Sequence, residues 1–224
     1  VKATKASLTL SCEGGFKGSL KADAAIQAVG RRSNGGLVDP QAAGIEIDER
    51  GIIHTDASCR TNVANIFARG DVTGNPMLAH RATHQGHVAA EVASCHAAAL
   101  DTDLIPSVAY TSPELAWAGL TQAKAKDQGL AHKVASFPWA ASGRNLASGG
   151  GDGLTKLVYC PETHRLLGAT LVGRSAGELL AECVLAMEMG ATLEDVSLAV
   201  HAHPTLSETV GFAAERALGT LTDL

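Results

Sequence analysis

The stretch Val200-His201-Ala202-His203-Pro204-Thr205-Leu206-Ser207-Glu208 decides how the C-terminal part of this 224-residue chain is organised. It places a histidine and a carboxylate five residues apart, just before a predicted helix over residues 207–218. Histidine titrates near neutral pH, so His203 can take up and return a proton. A carboxylate such as Glu208 can hold an imidazole in one tautomer and stabilise its cation. Pro204 keeps His203 out of helical geometry, which predicts a turn for the pair.

Two other interpretations of this stretch stay open. Thr205 and Glu208 fit a capping box, with Thr205 as N-cap and Glu208 as its third helical residue, and this role is compatible with orienting His203. The spacing of His201 and His203 is also found in metal sites. Two ligands at one spacing are a weak pattern, so no metal is predicted.

Composition excludes several functional classes. A hydrophobic fraction of 46% and a net charge of −5 are typical of a folded chain with one large domain or two smaller ones. The weak acidity gives no reason to expect nucleic acid or a membrane surface as partner, and no apolar run has membrane-spanning length. The odd number of cysteines and their long spacings predict free thiols in a reducing compartment. These cysteines are Cys12, Cys59, Cys95, Cys160 and Cys183.

In the first hundred residues, the pattern predicts strands that lead into one long helix. Strands are expected over residues 1–10, 22–29 and 65–69, with a hairpin over 45–55 and a helix over 77–100. Asp71 follows the strand at 65–69 and precedes the helix. An acid at the carboxyl end of a strand is typical of cofactor sites in open α/β sheets.

The predicted long helix carries His80, His84, His87 and Glu91 on one face. This face could hold a metal, but a polar helix face or a ligand contact at the helix terminus is the favoured interpretation.

A boundary is predicted at residues 101–106, after which the pattern changes to strands followed by helices. Strands are expected at 108–110, 116–120, 132–139, 154–160 and 166–172, and helices at 121–128, 176–189, 193–200 and 207–218. Residues 140–152 are predicted to be a loop. The glycine-rich residues 149–153 precede a strand and no Gly-Lys-Ser/Thr follows them, so for these residues a mobile turn is favoured over a phosphate site. This order predicts an α+β domain.

Four segments resemble the C-terminal half of the lipoamide dehydrogenases, within the FAD-dependent pyridine nucleotide-disulfide oxidoreductase family. Their order and spacing cover nearly the whole chain. The segments are Ala28-Val29-Gly30-Arg31; residues 61–71 with 76–80; residues 110–114 with 137–144; and residues 201–208.

The resemblance implies which residues contact cofactors. Asp71 would hydrogen-bond the ribityl chain of FAD. The segment Met77, Leu78, Ala79 and His80 would approach the flavin ring at the start of a helix, whose dipole favours an anionic reduced flavin. The segment Ala28, Val29, Gly30 and Arg31 would touch NAD.

The resemblance also gives His203 and Glu208 catalytic roles. His203 would accept the proton of a dithiol, and Glu208 would orient the imidazole. A thiolate, and not a thiol, attacks a disulfide, so oxidation of dihydrolipoamide needs such a base. Electrons would then pass through the flavin to NAD⁺. Leu206 fits the lipoamide dehydrogenases better than glutathione reductases, where serine is usual.

The chain also departs from the family pattern. The G-x-G-x-x-G and the C-x-x-x-x-C disulfide of the family's N-terminal half are both missing. We therefore expect an α/β chain with incomplete FAD- and NAD-binding portions and an α+β C-terminal dimerisation domain. The predicted parts are the tail of the NAD domain (1–32), the second FAD segment (33–105) and the dimerisation (interface) domain (106–224).

In this family the histidine serves the disulfide of the other subunit, so the resemblance implies a homodimer. It also implies a lipoyl domain or the acyltransferase core of a 2-oxo-acid dehydrogenase complex as partner, in the bacterial cytoplasm or the mitochondrial matrix. The alternatives are a glutathione or mercuric reductase and a non-catalytic dimerisation module.

Overall fold

The computed structural model describes residues 2–3 and 7–222, and the chain divides into two compact units, Val1–Leu100 and Asp101–Leu224. In the first unit, strands β1 (Lys2–Ala3), β2 (Leu8–Cys12) and β3 (Gly18–Ala22) form an antiparallel sheet in that order. The strand predicted over residues 1–10 falls partly on residues 1 and 4–6, which lie outside the described residues.

The rest of the first unit consists of turns and one long helix. Single 3-10 turns span Gly35–Val38, Pro40–Ala43 and Gly70–Thr73. Helix α1 spans Ala79–Ala93 and packs against the last of these turns. The turn at Gly70–Thr73 therefore fixes Asp71 relative to α1.

The buried strand predicted over residues 22–29 is wrong. Only Ala22 lies in a strand, and residues 23–29 have no regular structure. The side chains of Ile26 and Val29 are 96% and 86% exposed. An apolar run becomes a buried strand only where other strands pair with it, and within the described residues the sheet of this unit ends with β3.

Two other elements predicted for this unit are present only as isolated β-bridges. The strand predicted over residues 65–69 is reduced to one antiparallel bridge between Arg60 and Phe67. The hairpin predicted over 45–55 is confirmed as a minimal one, with a single bridge between Ile47 and Ile53. Turns on both sides leave these segments too short for a longer ladder.

Helix α1 is shorter than predicted at both ends. It begins after Leu78 and stops at Ala93, because Cys95 adopts the left-handed region with φ of 63°. The N–H of His96 then donates to the carbonyl of Glu91 at 2.9 Å, which closes the end of the helix.

The second unit is an antiparallel sheet of five strands with helices, as the sequence predicts. The sheet order is β4-β5-β8-β7-β6. The strands are β4 (Ser107–Ala109), β5 (Glu114–Gly119), β6 (Lys133–Pro138), β7 (Leu154–Tyr159) and β8 (Leu166–Gly173). The helices are α2 (Gln122–Asp127), α3 (Gly143–Ala147), α4 (Ala176–Glu188), α5 (Leu193–Leu198) and α6 (Glu208–Leu218). This arrangement confirms the predicted α+β architecture.

One apolar core joins the sheet to its helices. Helix α4 packs on β5 and β8, and α6 packs on β6 and β7. The rings of Phe137 on β6 and Phe212 on α6 lie 5.0 Å apart between centroids. Burial of these faces provides most of the driving force that holds α6, and with it Glu208, on the sheet.

The predicted loop over 140–152 contains helix α3. Ser142 caps it by accepting a hydrogen bond from the N–H of Asn145, whose buried side chain donates to the carbonyls of Trp139 and Gly151. The loop prediction is therefore wrong for residues 143–147, which form α3. Ser175 precedes α4 without a side-chain cap; Glu114 accepts a hydrogen bond from the N–H of Gly177 instead, at 3.1 Å.

Within the described part of the chain, no helix has both the length and the apolar character needed to cross a membrane.

Candidate functional site

The predicted catalytic pair lies in the segment between α5 and α6. A capping box of Thr192 and Asp195 starts α5, which ends at Leu198, and α6 begins at Glu208. The peptide bond between His203 and Pro204 is cis. Residues 199–207 form an irregular connection with bends at Ala199, His203 and Pro204, which agrees with the change of direction that the proline predicts.

The structure brings His203 and Glu208 into contact. Nδ1 of His203 lies 2.9 Å from Oε1 of Glu208. The other carboxylate oxygen, Oε2, accepts a hydrogen bond from the N–H of Thr205 at 2.7 Å. One carboxylate thus holds both the imidazole and the backbone of the turn.

Only half of the predicted capping box forms. Glu208 is the first residue of α6, not the third, and Ser207 stands before it without a side-chain cap bond. The Thr205 hydroxyl donates to the carbonyl of Ala202 at 2.6 Å and so does not cap the helix. The glutamate half of the box survives, because Oε2 still binds the Thr205 N–H.

The electrostatics of the pair keep Glu208 ionised. Burial raises the pKa of Glu208, but hydrogen bonds from the Thr205 N–H and from His203 outweigh it, and the pKa lies below its usual value of 4.5. A carboxylate can only accept, so Nδ1 of His203 donates, and in the neutral imidazole this leaves the lone pair on Nε2. The His203 side chain is 77% exposed while that of Glu208 is 12% exposed, which leaves Nε2 accessible.

A buried chain of hydrogen bonds supports this turn from the sheet. The indole N–H of Trp139 donates to Thr155 Oγ1 at 2.9 Å, and the hydroxyls of Thr155 and Thr209 are 2.8 Å apart. Thr209 Oγ1 donates to the carbonyl of Leu206 at 2.7 Å. Since an indole N–H can only donate, each hydroxyl accepts from the previous group and donates to the next. This series of hydrogen bonds ends at the carbonyl of Leu206, two positions before Glu208.

We expect Thr155→Val to destabilise the second unit by about 1–3 kcal/mol, because it leaves the buried Trp139 N–H without its acceptor. The measurement is urea unfolding followed by tryptophan fluorescence. Both tryptophans, Trp117 and Trp139, lie in this unit, so the signal reports on it alone. Thr170→Val, at a strand threonine outside this hydrogen-bonded chain, is the matched control. Equal midpoints for the two variants would contradict a stabilising role.

His201 has a carboxylate of its own. Its Nε2 lies 2.6 Å from Oε1 of Glu182 on α4. The two histidines therefore bind different carboxylates, which removes the basis for a shared metal site. Among the described residues, no three or more His, Cys, Asp or Glu side chains are grouped to hold a metal, including the histidine face of α1.

In the first unit, the predicted ribityl contact Asp71 forms a hydrogen bond with Arg31 at 3.1 Å. The N–H of Gly70 donates to the buried Gln85 side chain of α1 at 2.8 Å. Gln85 was not a predicted site residue; a lone amide on the inner face of α1 was the available signal. Asp71 is thus fixed from α1 while its own carboxylate stays partly exposed.

The predicted flavin segment lies at the start of α1. Met77 and Leu78 are half-buried, and Ala79 and His80 are exposed. Leu78 occupies the N-cap position and gives no side-chain cap bond. The N–H of Leu78 donates to the carbonyl of Pro76 at 3.0 Å, and α1 begins at Ala79. The positive end of the helix dipole therefore lies beside this segment.

The predicted NAD segment is open to solvent. Ala28, Val29, Gly30 and Arg31 are all exposed. Arg31 contacts Asp71, which is also a predicted site residue. The five cysteines are free, as predicted.

Comparisons with known proteins match both units. The dimerisation-domain model of the pyridine nucleotide-disulphide oxidoreductases matches residues 105–214, and a second model of pyridine nucleotide-disulphide oxidoreductases matches residues 1–86. The chain is 55% identical over 202 residues to a dihydrolipoyl dehydrogenase of Vibrio parahaemolyticus, covering 90% of this chain and 42% of that protein. A dihydrolipoyl dehydrogenase of Haemophilus influenzae is 54% identical over 202 residues, which again cover 90% of this chain and 42% of that protein.

Among solved structures, a HOCl-induced flavoprotein disulfide reductase from Escherichia coli superposes with a TM-score of 0.81 at 26% identity. The match covers 88% of this chain and 46% of that one. The chain thus spans less than half the length of these relatives.

Proposed function

Since the chain belongs to the pyridine nucleotide-disulphide oxidoreductases, we propose that it forms the C-terminal part of an enzyme that oxidises dihydrolipoamide to lipoamide with NAD⁺ as acceptor. The main support for this proposal is the contact of His203 Nδ1 with Glu208, which leaves Nε2 of His203 free to accept a proton. The names of the relatives and the Leu206 context favour a dithiol such as dihydrolipoamide over glutathione or mercuric ion.

His203 acts as the base for the dithiol. Nε2 takes the proton of a substrate thiol, and the resulting thiolate is the species that attacks a disulfide. The ionised Glu208 stabilises the imidazolium that forms, because it accepts the Nδ1 hydrogen bond throughout. That disulfide comes from the family's C-x-x-x-x-C segment, which these 224 residues do not contain.

The residues of the first unit fit FAD. Bound FAD would supply the two-electron acceptor between the dithiol and NAD⁺. Asp71 offers a partly exposed carboxylate for ribityl hydroxyls, and the start of α1 at Ala79 presents the positive end of its helix dipole to the flavin ring. The segment from Ala28 to Arg31 is accessible for contact with NAD.

A homodimer completes this proposal. Large apolar side chains on and near α4 and α5 are exposed, and Val200, beside the catalytic segment, is fully exposed. A second copy would cover these side chains and bring His203 to the disulfide of the other subunit. Besides Val200, the exposed apolar side chains of this surface are Leu185, Met189 and Leu198.

We extend the proposal to a lipoyl domain or acyltransferase core of a 2-oxo-acid dehydrogenase complex as partner. The bacterial relatives favour the cytoplasm over the mitochondrial matrix.

A non-catalytic dimerisation module is the second candidate, favoured by the same exposed apolar residues. Light scattering and the absorbance of bound flavin on the purified 224-residue chain separate the two. A yellow protein supports a cofactor-binding role for this chain, whereas a colourless stable dimer supports the module.

We expect Glu208→Gln in the full-length protein to slow reduction of the flavin by dihydrolipoamide by about tenfold. Glu208 accepts two hydrogen bonds through two oxygens, and glutamine has only one oxygen. Its NH₂ group must face either the Thr205 N–H or Nδ1 of His203. The second arrangement forces the proton onto Nε2 and removes the base.

Stopped-flow absorbance of the flavin measures this rate, with Glu215→Gln on α6 as the matched control. If Glu208 only caps the helix, both variants will match the unmodified protein.

A further inference from the structure

We propose that Glu182 and His201 form a second imidazole–carboxylate pair, which positions His203 for proton transfer. This inference rests on the proposed function. It assigns the pair a positioning role, since neither residue needs to touch the substrate.

The contact between the two side chains is short, and its imidazole is largely shielded from solvent. His201 Nε2 lies 2.6 Å from Glu182 Oε1, and the His201 side chain is 13% exposed. Because the carboxylate only accepts, Nε2 of His201 carries a proton. His203 has the opposite arrangement, with its Nδ1 as donor. The two histidines are therefore fixed in different tautomers, and only His203 presents a free Nε2.

The ring of His201 also packs against α6. A β-carbon placed on Gly211 would lie 3.1 Å from Nδ1 and 3.2 Å from Cε1 of His201. A side chain at this position would crowd the ring, so glycine permits its close approach to the helix. His201 is thus held by Glu182 of α4 on one side and by α6 on another.

Side-chain contacts hold the segment that carries His203. Residues 199–206 belong to no helix or strand. Thr205 Oγ1 donates to the Ala202 carbonyl, and Glu208 accepts the Thr205 N–H. These two contacts organise the part of the segment after His201 but do not attach it to α4. The bond from His201 to Glu182 provides that attachment.

The position of the His201 backbone determines where the backbone of His203 lies. Only Ala202 separates the two histidines, so their α-carbons are at most about 7 Å apart along the chain. A shift of His201 away from α4 therefore moves the backbone of His203. A displacement of about 1 Å at a catalytic group can reduce a rate by about 100-fold.

The test uses the full-length protein with bound flavin. Glu182→Ala removes the acceptor of the His201 bond, and His201→Ala breaks the same bond from the other side. Glu182→Gln keeps an oxygen that can accept from Nε2. Glu178→Ala, at an exposed glutamate one turn earlier on α4, is the matched control.

Two rates are measured for each variant: reduction of the flavin at saturating dihydrolipoamide, and oxidation of NADH by ferricyanide, which needs no base for a dithiol. We expect both alanine variants to slow the dithiol reaction by about tenfold or more and to leave the ferricyanide reaction unchanged. Glu182→Gln should stay within about twofold of the unmodified protein, and so should Glu178→Ala.

A dithiol rate in Glu182→Ala and His201→Ala equal to that of Glu178→Ala would overturn the inference. So would an equal fall of both rates, because it would indicate general damage to the fold. Failure of the proposed function has a different signature: the unmodified protein would not be reduced by dihydrolipoamide, or His203→Ala would have no effect.

Discussion

Replacing His203 with alanine in the full-length protein is expected to slow reduction of its flavin by dihydrolipoamide by about 100-fold or more. Loss of the imidazole leaves water as the only acceptor for the thiol proton, and the thiol itself does not attack a disulfide. The remaining carboxylate of Glu208 is largely buried, and it is occupied by the Thr205 N–H, so it cannot replace the base.

Stopped-flow absorbance at saturating dihydrolipoamide measures this effect. Oxidation of NADH by ferricyanide in the same samples is the control, because it bypasses the dithiol. An unchanged rate of flavin reduction by dihydrolipoamide would remove His203 from the mechanism.

The 224-residue chain by itself is expected to form no NADH from dihydrolipoamide and NAD⁺. No two of its cysteines are separated by four residues, as the redox disulfide of the family requires. Two of the cysteines are also poor nucleophiles. Burial raises the pKa of Cys183 to about 12 and raises that of Cys59. A thiol with a raised pKa contains little thiolate at neutral pH.

The measurement is absorbance at the NADH band with purified chain, dihydrolipoamide and NAD⁺, with the full-length protein as positive control. Clear turnover by the chain alone would contradict the assignment of the redox disulfide to a segment outside it.

The elements near the C-terminus could be predicted because their signals are local. Pro204 and the spacing of His203 and Glu208 suffice to predict a turn with a carboxylate beside an imidazole. The β7–β8 hairpin is marked by a polar turn between two apolar runs, and the structure has it at Leu154–Tyr159 and Leu166–Gly173. The structure therefore confirms those elements and the contact of the pair, while their catalytic roles stay predictions.

The contacts that support the pair could not be predicted, because they join distant positions. The hydroxyls of Thr155 and Thr209 meet across 54 residues, and His201 meets Glu182 across 19. A threonine in a strand and a glutamate on a helix have many structural uses, and their partners depend on how α4 and α6 pack on the sheet. The burial of a polar hydroxyl implies some partner but does not identify it.

The strand predicted over residues 22–29 was wrong for a related reason. Apolar composition indicates burial only if the fold provides a surface to cover the run. Ile26 and Val29 have no such surface in this structure. Hydrophobic periodicity describes a segment, whereas burial depends on its neighbours.

The most direct test of the central claim, that His203 serves the disulfide of another subunit, is the activity of a mixed dimer. One subunit carries His203→Ala, and the other carries serine in place of the redox cysteines of the N-terminal half. If the histidine serves its partner, one site of the purified heterodimer is intact. About half of the unmodified activity with dihydrolipoamide is then expected, since one of two sites works. If each histidine serves its own subunit, both sites are broken, and a heterodimer without activity would contradict the claim.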